Sequence, residues 1–478
     1  MKKNSFYITT TIPYVNADPH IGFALELVQA DAIARYKRLA GAETFFSTGT
    51  DEFGQKIWEA AEKQGVAAQD YVDKYAERFL ALKDALNLSI DNFIRTTTKE
   101  HMEAVQKFWA LCDQKGDIYQ KKYKGLYCVG CEKFITEKDI VNGECPLHPG
   151  KKLEEIEEEN YFFKLSNYRE QLLEYLNKKD SIIPEWRRLE AIEYVSSAME
   201  DFSISRSKER LSWGVPIPGD DTQVMYVWFG AFVNYLSTLG WPGSSDLFEK
   251  FWVNGETVQT AGKDMVKFQS VMWQGMLMSA GLPATQKIIY HGFIMGEGGI
   301  RMSKTIGNVI NPVDVVREYG TDALRYFLLR EISSFEDSPF TMERFKDAYN
   351  AGLANGLGNL ASRILTLSEK YLDKCPELEE KSDFTEYFKF FEKFDVQKAT
   401  SYVWSEIGEL DKFIQETEPF KVIKVDQKKG KELISSMVIR LYRIARMLNP
   451  ILPETNVTLK KLIKENKKPE KPLFPRKD

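Results

Sequence analysis

The stretch SFYITTTIPYVNADPHIGF, residues 5–23, constrains the fold more than any other part of the chain. Its opening residues are aromatic and β-branched and suit a strand. Pro13, Asn16, Asp18 and Pro19 then break extended structure with turn chemistry. From Ile21 the apolar positions Ile21, Ala24, Leu25, Val28, Ala32, Ile33, Tyr36 and Leu39 recur at helical spacing until Gly41, and TFFST follows as a second strand. Strand, helix and strand in so short a span predict a βαβ unit, and with it a parallel sheet. Such sheets bind ligands beyond the carboxyl ends of their strands, where helix N-termini aim backbone N–H groups at anions. His20 and Gly22 fall at that place.

Residues 116–222 interrupt the rhythm with clustered cysteines, the acidic run EEIEEEN and the strand-like YFFKLS, and read as an insertion between sheet segments 1–115 and 223–295. Gly296, Gly298 and Gly299 then predict a tight turn before IRMSKT, a hairpin within 296–345. From 346 to 478 amphipathic stretches such as LGNLASRILTLSEKYL predict a bundle of helices.

The 478 residues, 43% of them hydrophobic, suffice for more than one core. Sixty-five basic residues stand against 70 acidic ones, a net charge of −5, so binding of a polyanion requires a local patch. No segment approaches the roughly 20 apolar residues of a membrane span, and MKKNSFYITTT has no apolar leader region. The expectation is a cytoplasmic protein without membrane contact.

Five cysteines are too few for a disulfide framework in a chain this long. Cys128 and Cys131 form CxxC, and Cys145 and His148 form CxxH further on, with Gly130, Gly143 and Pro146 favouring the turns. Four soft ligands in two paired turns predict a tetrahedral zinc site with no open position, hence a structural one.

His20 and Lys304 suit one chemistry between them. Nucleotidyl transfer from ATP passes through a crowded anionic phosphorus centre, which needs positioned donors rather than a nucleophile. A histidine at a helix mouth supplies one, Gly22 lets the nucleotide approach the backbone, and a lysine on a glycine-flanked hairpin closes over the leaving pyrophosphate.

In this order the motifs resemble a known family. PHIGF is similar to the HIGH signature and RMSKT to the KMSKS signature of class I aminoacyl-tRNA synthetases. IPYVNADPHIG, FFSTGTDEFG, EDFSISR, WGVPIPGD, MYVWF, AGKDMVKF, HGFIM and SKTIGNVINP follow one another as in the methionyl-tRNA synthetases. The resemblance implies an α/β fold: a Rossmann-type parallel-sheet catalytic domain, a zinc-knuckle insertion and an all-α anticodon-binding bundle. It implies activation of L-methionine by ATP, with Mg accompanying the nucleotide, and transfer to tRNA(Met). Ile12, Tyr14, Asp51, Trp228, Ala231, Tyr235 and Gln269 would surround methionine, with Asp51 on its ammonium group. His20, Gly22, Phe23, Gly262, Asp264 and Lys304 would contact ATP, with His20 and Lys304 catalytic. Asn359 and Arg363, four apart on one helical face, and Phe420 would read a CAU anticodon. A monomer is expected, because no sequence beyond KPLFPRKD supplies the dimerising domain of some relatives.

The chain departs from the family at Phe23, Phe53, Gln259 and Gln269, where histidines are usual, and at Gly230, where an aspartate is. These changes sustain a second reading, a noncatalytic relative that binds methionine, nucleotide or tRNA.

Overall fold

The structure is a computed structural model that describes residues 5–129, 133–135, 140–141, 143–146, 150, 152–243, 245–300, 302, 309–378 and 384–478. The chain divides into two compact units. Met1–Pro19, Ala42–Ala81 and Ile90–Tyr290 form the first; His20–Gly41, Leu82–Ser89 and His291–Asp478 form the second.

The first unit is built on strands β1 (Ser5–Thr9), β2 (Glu43–Thr50), β3 (Asn92–Arg95), β4 (Ile118–Cys128), β5 (Glu154–Phe163), β6 (Ile182–Ile183), β7 (Glu256–Gly262) and β8 (Lys287–His291). Six of them make one sheet in the order β3-β2-β1-β7-β8-β6. β1 pairs in parallel with both β2 and β7, β2 with β3, and β8 with β6. Phe6, Tyr7, Ile8 and Thr9 are all buried, as expected of a central parallel strand covered on both faces.

The 116–222 segment holds an antiparallel sheet and also returns to the main one, since Ile182–Ile183 adds its edge strand. The acidic run is part of a strand: β5 begins at Glu154 and pairs with β4 from Tyr127↔Glu154 to Ile118↔Phe163. Glutamates are poor strand formers alone. Here Lys122 lies opposite Glu159 and Lys124 opposite Glu157, and Lys124 also pairs with Glu155 at 2.8 Å, so cross-strand charge offsets the propensity.

In the second unit, helix α1 (Ile21–Leu39) has the bounds its periodicity predicts. Helices α2 (Thr321–Tyr326), α3 (Asn359–Tyr371), α4 (Val396–Thr417), α5 (Pro419–Val425), α6 (Gln427–Met447) and α7 (Pro453–Lys464) belong to the bundle. Tyr36 of α1 stacks on Phe391 with centroids 4.7 Å apart. The deepest polar link is ionic. Asp31 of α1 and Arg325 of α2, both fully buried, meet at 2.7 Å. The guanidinium also donates to the carbonyls of Leu86, Pro450 and Ile451 at 2.9–3.0 Å. Burial acts to raise the Asp31 carboxyl, but Arg325, Arg35 and the Ser89 N–H and hydroxyl outweigh it and hold the group below the usual carboxylate range.

Arg325→Met leaves a buried carboxylate and three carbonyls without their donor, and is expected to cost about 3–5 kcal/mol in denaturant unfolding. Adding Asp31→Leu should return part of that loss. Because the folded pKa of Asp31 is lowered, its stabilisation is present above the unfolded value of about 4 and is lost as pH falls through the folded one. Unfolding free energies of wild type and Asp31→Asn should therefore converge on acidification.

Candidate active site

In the first unit the pairing of β1 and β2 continues past the strand ends. Asp51 N–H donates to Pro13 O at 2.9 Å and Val15 N–H to Asp51 O at 3.3 Å, which bridges Tyr14 to Asp51. A buried carboxylate is thereby fixed beside an aromatic ring at the carboxyl edge of the sheet. Behind it stands Glu52, fully buried and held by Arg95 through two bonds of 2.7 and 2.9 Å. Glu52 N–H donates to the Thr96 hydroxyl, and Trp213 Nε1 donates to Glu52 O. The sequence reading missed Glu52 and Arg95; the carboxylate directly after Asp51 is the signal that could have marked the first.

The wall is aromatic. Trp228 meets Tyr14 edge to face, with centroids 6.5 Å apart, and stacks on Phe268 at 4.2 Å. Phe268 was not among the expected residues. Ala231 follows Trp228 on the helix Val227–Phe232, half-buried like Ile12. Tyr235 is buried and donates its hydroxyl proton to Gln269 Oε1 at 3.3 Å. Tyr14, Trp228, Phe268 and Tyr235 all pack within one apolar core. Gly262 ends β7, and Asp264 lies exposed in the single turn after it.

The departures have local partners. Phe53 packs on Trp213 at 5.2 Å. Gln259 and Gln269 bond each other at 2.7 Å. His101 is buried with its Nδ1 2.9 Å from the Ser237 hydroxyl; burial pushes its pKa down to about 3 against the opposing Gly230 backbone, so the ring is neutral.

In the second unit His20 caps α1. Its Nδ1 accepts from Gly22 N–H at 3.1 Å and Phe23 N–H at 3.4 Å. An imidazole nitrogen that accepts carries no proton, so in the neutral ring the proton sits on Nε2. A Cβ at position 22 would lie 3.1 Å from that ring, closer than most side-chain contacts. Phe23 is buried on the same helix. Ile21 N–H donates to Ile310 O at 3.0 Å, which ties the chain ahead of Asn311 to the mouth of α1.

Lys304 lies outside the described residues, as do Cys131 and His148. The second arm of the predicted hairpin, IRMSKT, lies mostly outside the described residues; ahead of it Gly296 N–H donates to Ile300 O at 2.7 Å, and Ile294–Met295 pairs in parallel with Ser338–Pro339. Gly298 and Gly299 do turn with φ of 69° and 75°, values that favour glycine. Cys128 and Cys145, each 1% exposed, share a small cluster with Ile135 and Leu153. No group of three or more metal-binding side chains occurs among the described residues, which include only these two of the four expected ligands.

Asn359 opens α3 and is exposed, directly after a wide π-helical segment, Tyr349–Gly358. Arg363, half-exposed, bonds Asp411 of α4 at 2.6 Å, a partner not foreseen. Phe420 is 40% exposed at the start of α5.

The family model described as tRNA synthetases class I (M) matches residues 6–156 and 149–365. The methionine–tRNA ligase of Fusobacterium nucleatum is 39% identical over 473 residues, 95% of this chain and 73% of that protein. That of Thermotoga maritima is 38% identical over 485 residues, 98% of this chain and 76% of that protein. The structure of Mycobacterium tuberculosis methionyl-tRNA synthetase in complex with methionyl-adenylate superposes with a TM-score of 0.91 at 33% identity, covering 99% of this chain and 100% of that one. The chain belongs to the methionyl class I tRNA synthetases.

The His20 cap decides which ring atom can donate: Nδ1 is consumed by the helix end, leaving Nε2–H as the ring's donor. Nitrogen-15 shifts of labelled protein should identify the Nε2–H tautomer at His20. In Gly22→Ala the added methyl should displace the ring and mix the tautomers, with little change in melting temperature. An Nδ1–H tautomer in the wild type would contradict the cap.

Proposed function

We propose that this chain activates L-methionine with ATP and transfers the methionyl group to tRNA(Met). The observation that carries the reading is the Tyr14–Asp51–Trp228 arrangement at the carboxyl edge of a parallel sheet, in a chain whose relatives are methionine–tRNA ligases. The noncatalytic alternative is not favoured. Asp51 pairs with the substrate ammonium, while Tyr14, Trp228, Ala231, Tyr235 and Ile12 enclose the thioether, which gains from soft contacts with aromatic rings. The methionine carboxylate attacks the α-phosphorus, pyrophosphate leaves, and a ribose hydroxyl of the tRNA then takes the acyl group from the adenylate.

His20 Nε2–H and the Lys304 ammonium stabilise charge on the phosphates; Gly22, Phe23, Gly262 and Asp264 complete the nucleotide contacts. Mg enters with ATP and offsets phosphate charge. Asn359, Arg363 and Phe420 read the CAU anticodon, with Phe420 exposed to stack on an unpaired base. The enzyme acts as a monomer in the cytoplasm.

Cys128, Cys131, Cys145 and His148 hold zinc. Two buried cysteines in one small cluster fit such a site, and four protein ligands keep the metal out of the chemistry.

Methionine-dependent exchange of labelled pyrophosphate into ATP tests the activity. Lys304→Ala should lower the activation rate constant at least about 10²-fold with a smaller change in ATP affinity, since a preorganised charge acts chiefly on the transition state. Wild-type exchange no faster than that of Lys304→Ala would remove the enzyme reading. Elemental analysis should find about one zinc per chain, lost in Cys128→Ser or Cys145→Ser. Zinc-free protein with an unaltered fold would defeat the metal assignment.

A further inference from the structure

Beside Tyr235 lies a closed chain of uncharged polar groups, all of them fully buried. Gln259 is on β7, Gln269 in the π-helical turn Val266–Met272, Gln274 in the helix Trp273–Ser279, and Thr285 ahead of β8. Gln259 Oε1 accepts from Gln269 Nε2 at 2.7 Å and from the Thr285 hydroxyl at 3.0 Å. Gln269 Oε1 accepts from the Tyr235 hydroxyl. Gln274 locks the far side: its Oε1 accepts Thr285 N–H at 2.9 Å, and its Nε2 donates to Gln269 O at 3.0 Å and to Thr285 Oγ1 at 3.2 Å.

One end of Gln259 is satisfied and the other is not. Its Nε2 is buried without a hydrogen-bond partner among the described residues, as is the hydroxyl of Thr9, its register partner on β1. A buried amide N–H left unpaired is costly, and an apolar side chain of the same shape would avoid that cost. The amide therefore matters for what its oxygen does, which is to fix the orientation of Gln269.

We propose that Gln259 is a specificity-determining positioning residue for methionine, acting through Gln269 on the Tyr235 hydroxyl at the thioether end of the pocket. This rests on the reading of Tyr235 and Gln269 as pocket residues. Packing alone separates a thioether from an isosteric methylene only weakly, whereas a hydroxyl and an amide held in one orientation present a fixed polar field to the sulfur.

Calorimetric titration of the full chain with L-methionine and L-norleucine tests it. In Gln259→Met, which conserves volume, the methionine Kd should rise about 10-fold while the norleucine Kd moves less than about 3-fold. Gln259→Met added to Gln269→Leu should weaken methionine binding no further than Gln269→Leu alone, because the effect passes through Gln269. If Gln259→Met does not fold, Gln259→Asn should show the same selective loss, since it withdraws the amide by one methylene. An unchanged methionine Kd, or equal losses for both amino acids, overturns the positioning role while leaving the pocket reading intact. Wild-type protein that binds neither amino acid overturns both.

Discussion

The Asp31–Arg325 ion pair governs the second unit. Asp31 sits midway along the helix that His20 caps, and Arg325 spends its remaining donors on the carbonyls of Leu86, Pro450 and Ile451. One guanidinium thus fixes three separate chain segments against α1. Two fully buried charges in contact gain little net stability over an apolar pair, but breaking the pair is expensive, so it acts as a constraint on register more than as glue. One helical turn before Arg325, Asp322 accepts from the Thr455 N–H and hydroxyl and so caps α7 from a distance. The bundle is tied through these two residues to the helix that His20 caps.

The first unit solves a similar problem with a similar device. Asp51 and Glu52 are consecutive buried carboxylates, and Glu52 takes up a structural duty. It anchors the strand end through Arg95, Thr50 and Thr97. Adjacent residues on extended chain point to opposite faces, so the two acids face apart.

Much of this was legible in the sequence. Periodicity marked α1, although the helix is buried all round from Phe23 to Ala34 and not along one face alone. Asp51, Tyr14 and Trp228 were found through motif order, and the structure brings them together. What escaped depended on partners distant in sequence. The sequence marks EEIEEEN only as an acidic run, and its place as a strand depends on the lysines of β4 that lie opposite it. Arg325, Glu52 and Arg95 look like surface charges until burial pairs them. The parallel pairing of Ile294–Met295 with Ser338–Pro339 has no local signal, since glycines before a polar stretch predict a hairpin equally well. Arg363 was expected to face nucleic acid, and Asp411, its neighbour on another helix, could not be inferred from spacing within one.

Of the family's usual histidines, those replaced by Gln259 and Gln269 give way to a bonded pair of buried amides, whereas Phe23 replaces one at the mouth of α1. At the mouth of α1 His20 keeps its place with Nε2–H fixed by the helix cap. In the first unit Asp51 is buried opposite Tyr14, beside an aromatic wall. A histidine there would contribute hydrogen bonds in its neutral form, and a pair of amides can supply those without a titratable proton. Gln259 and Gln269, joined at 2.7 Å, make the exchange as a unit. Gly230 fits the same logic: with no carboxylate at that position, His101 can be buried neutral against Ser237 and needs no counter-ion. Gln259, Gln269 and Gly230 thus place uncharged groups around Tyr235 and His101 where the family's usual residues are ionisable.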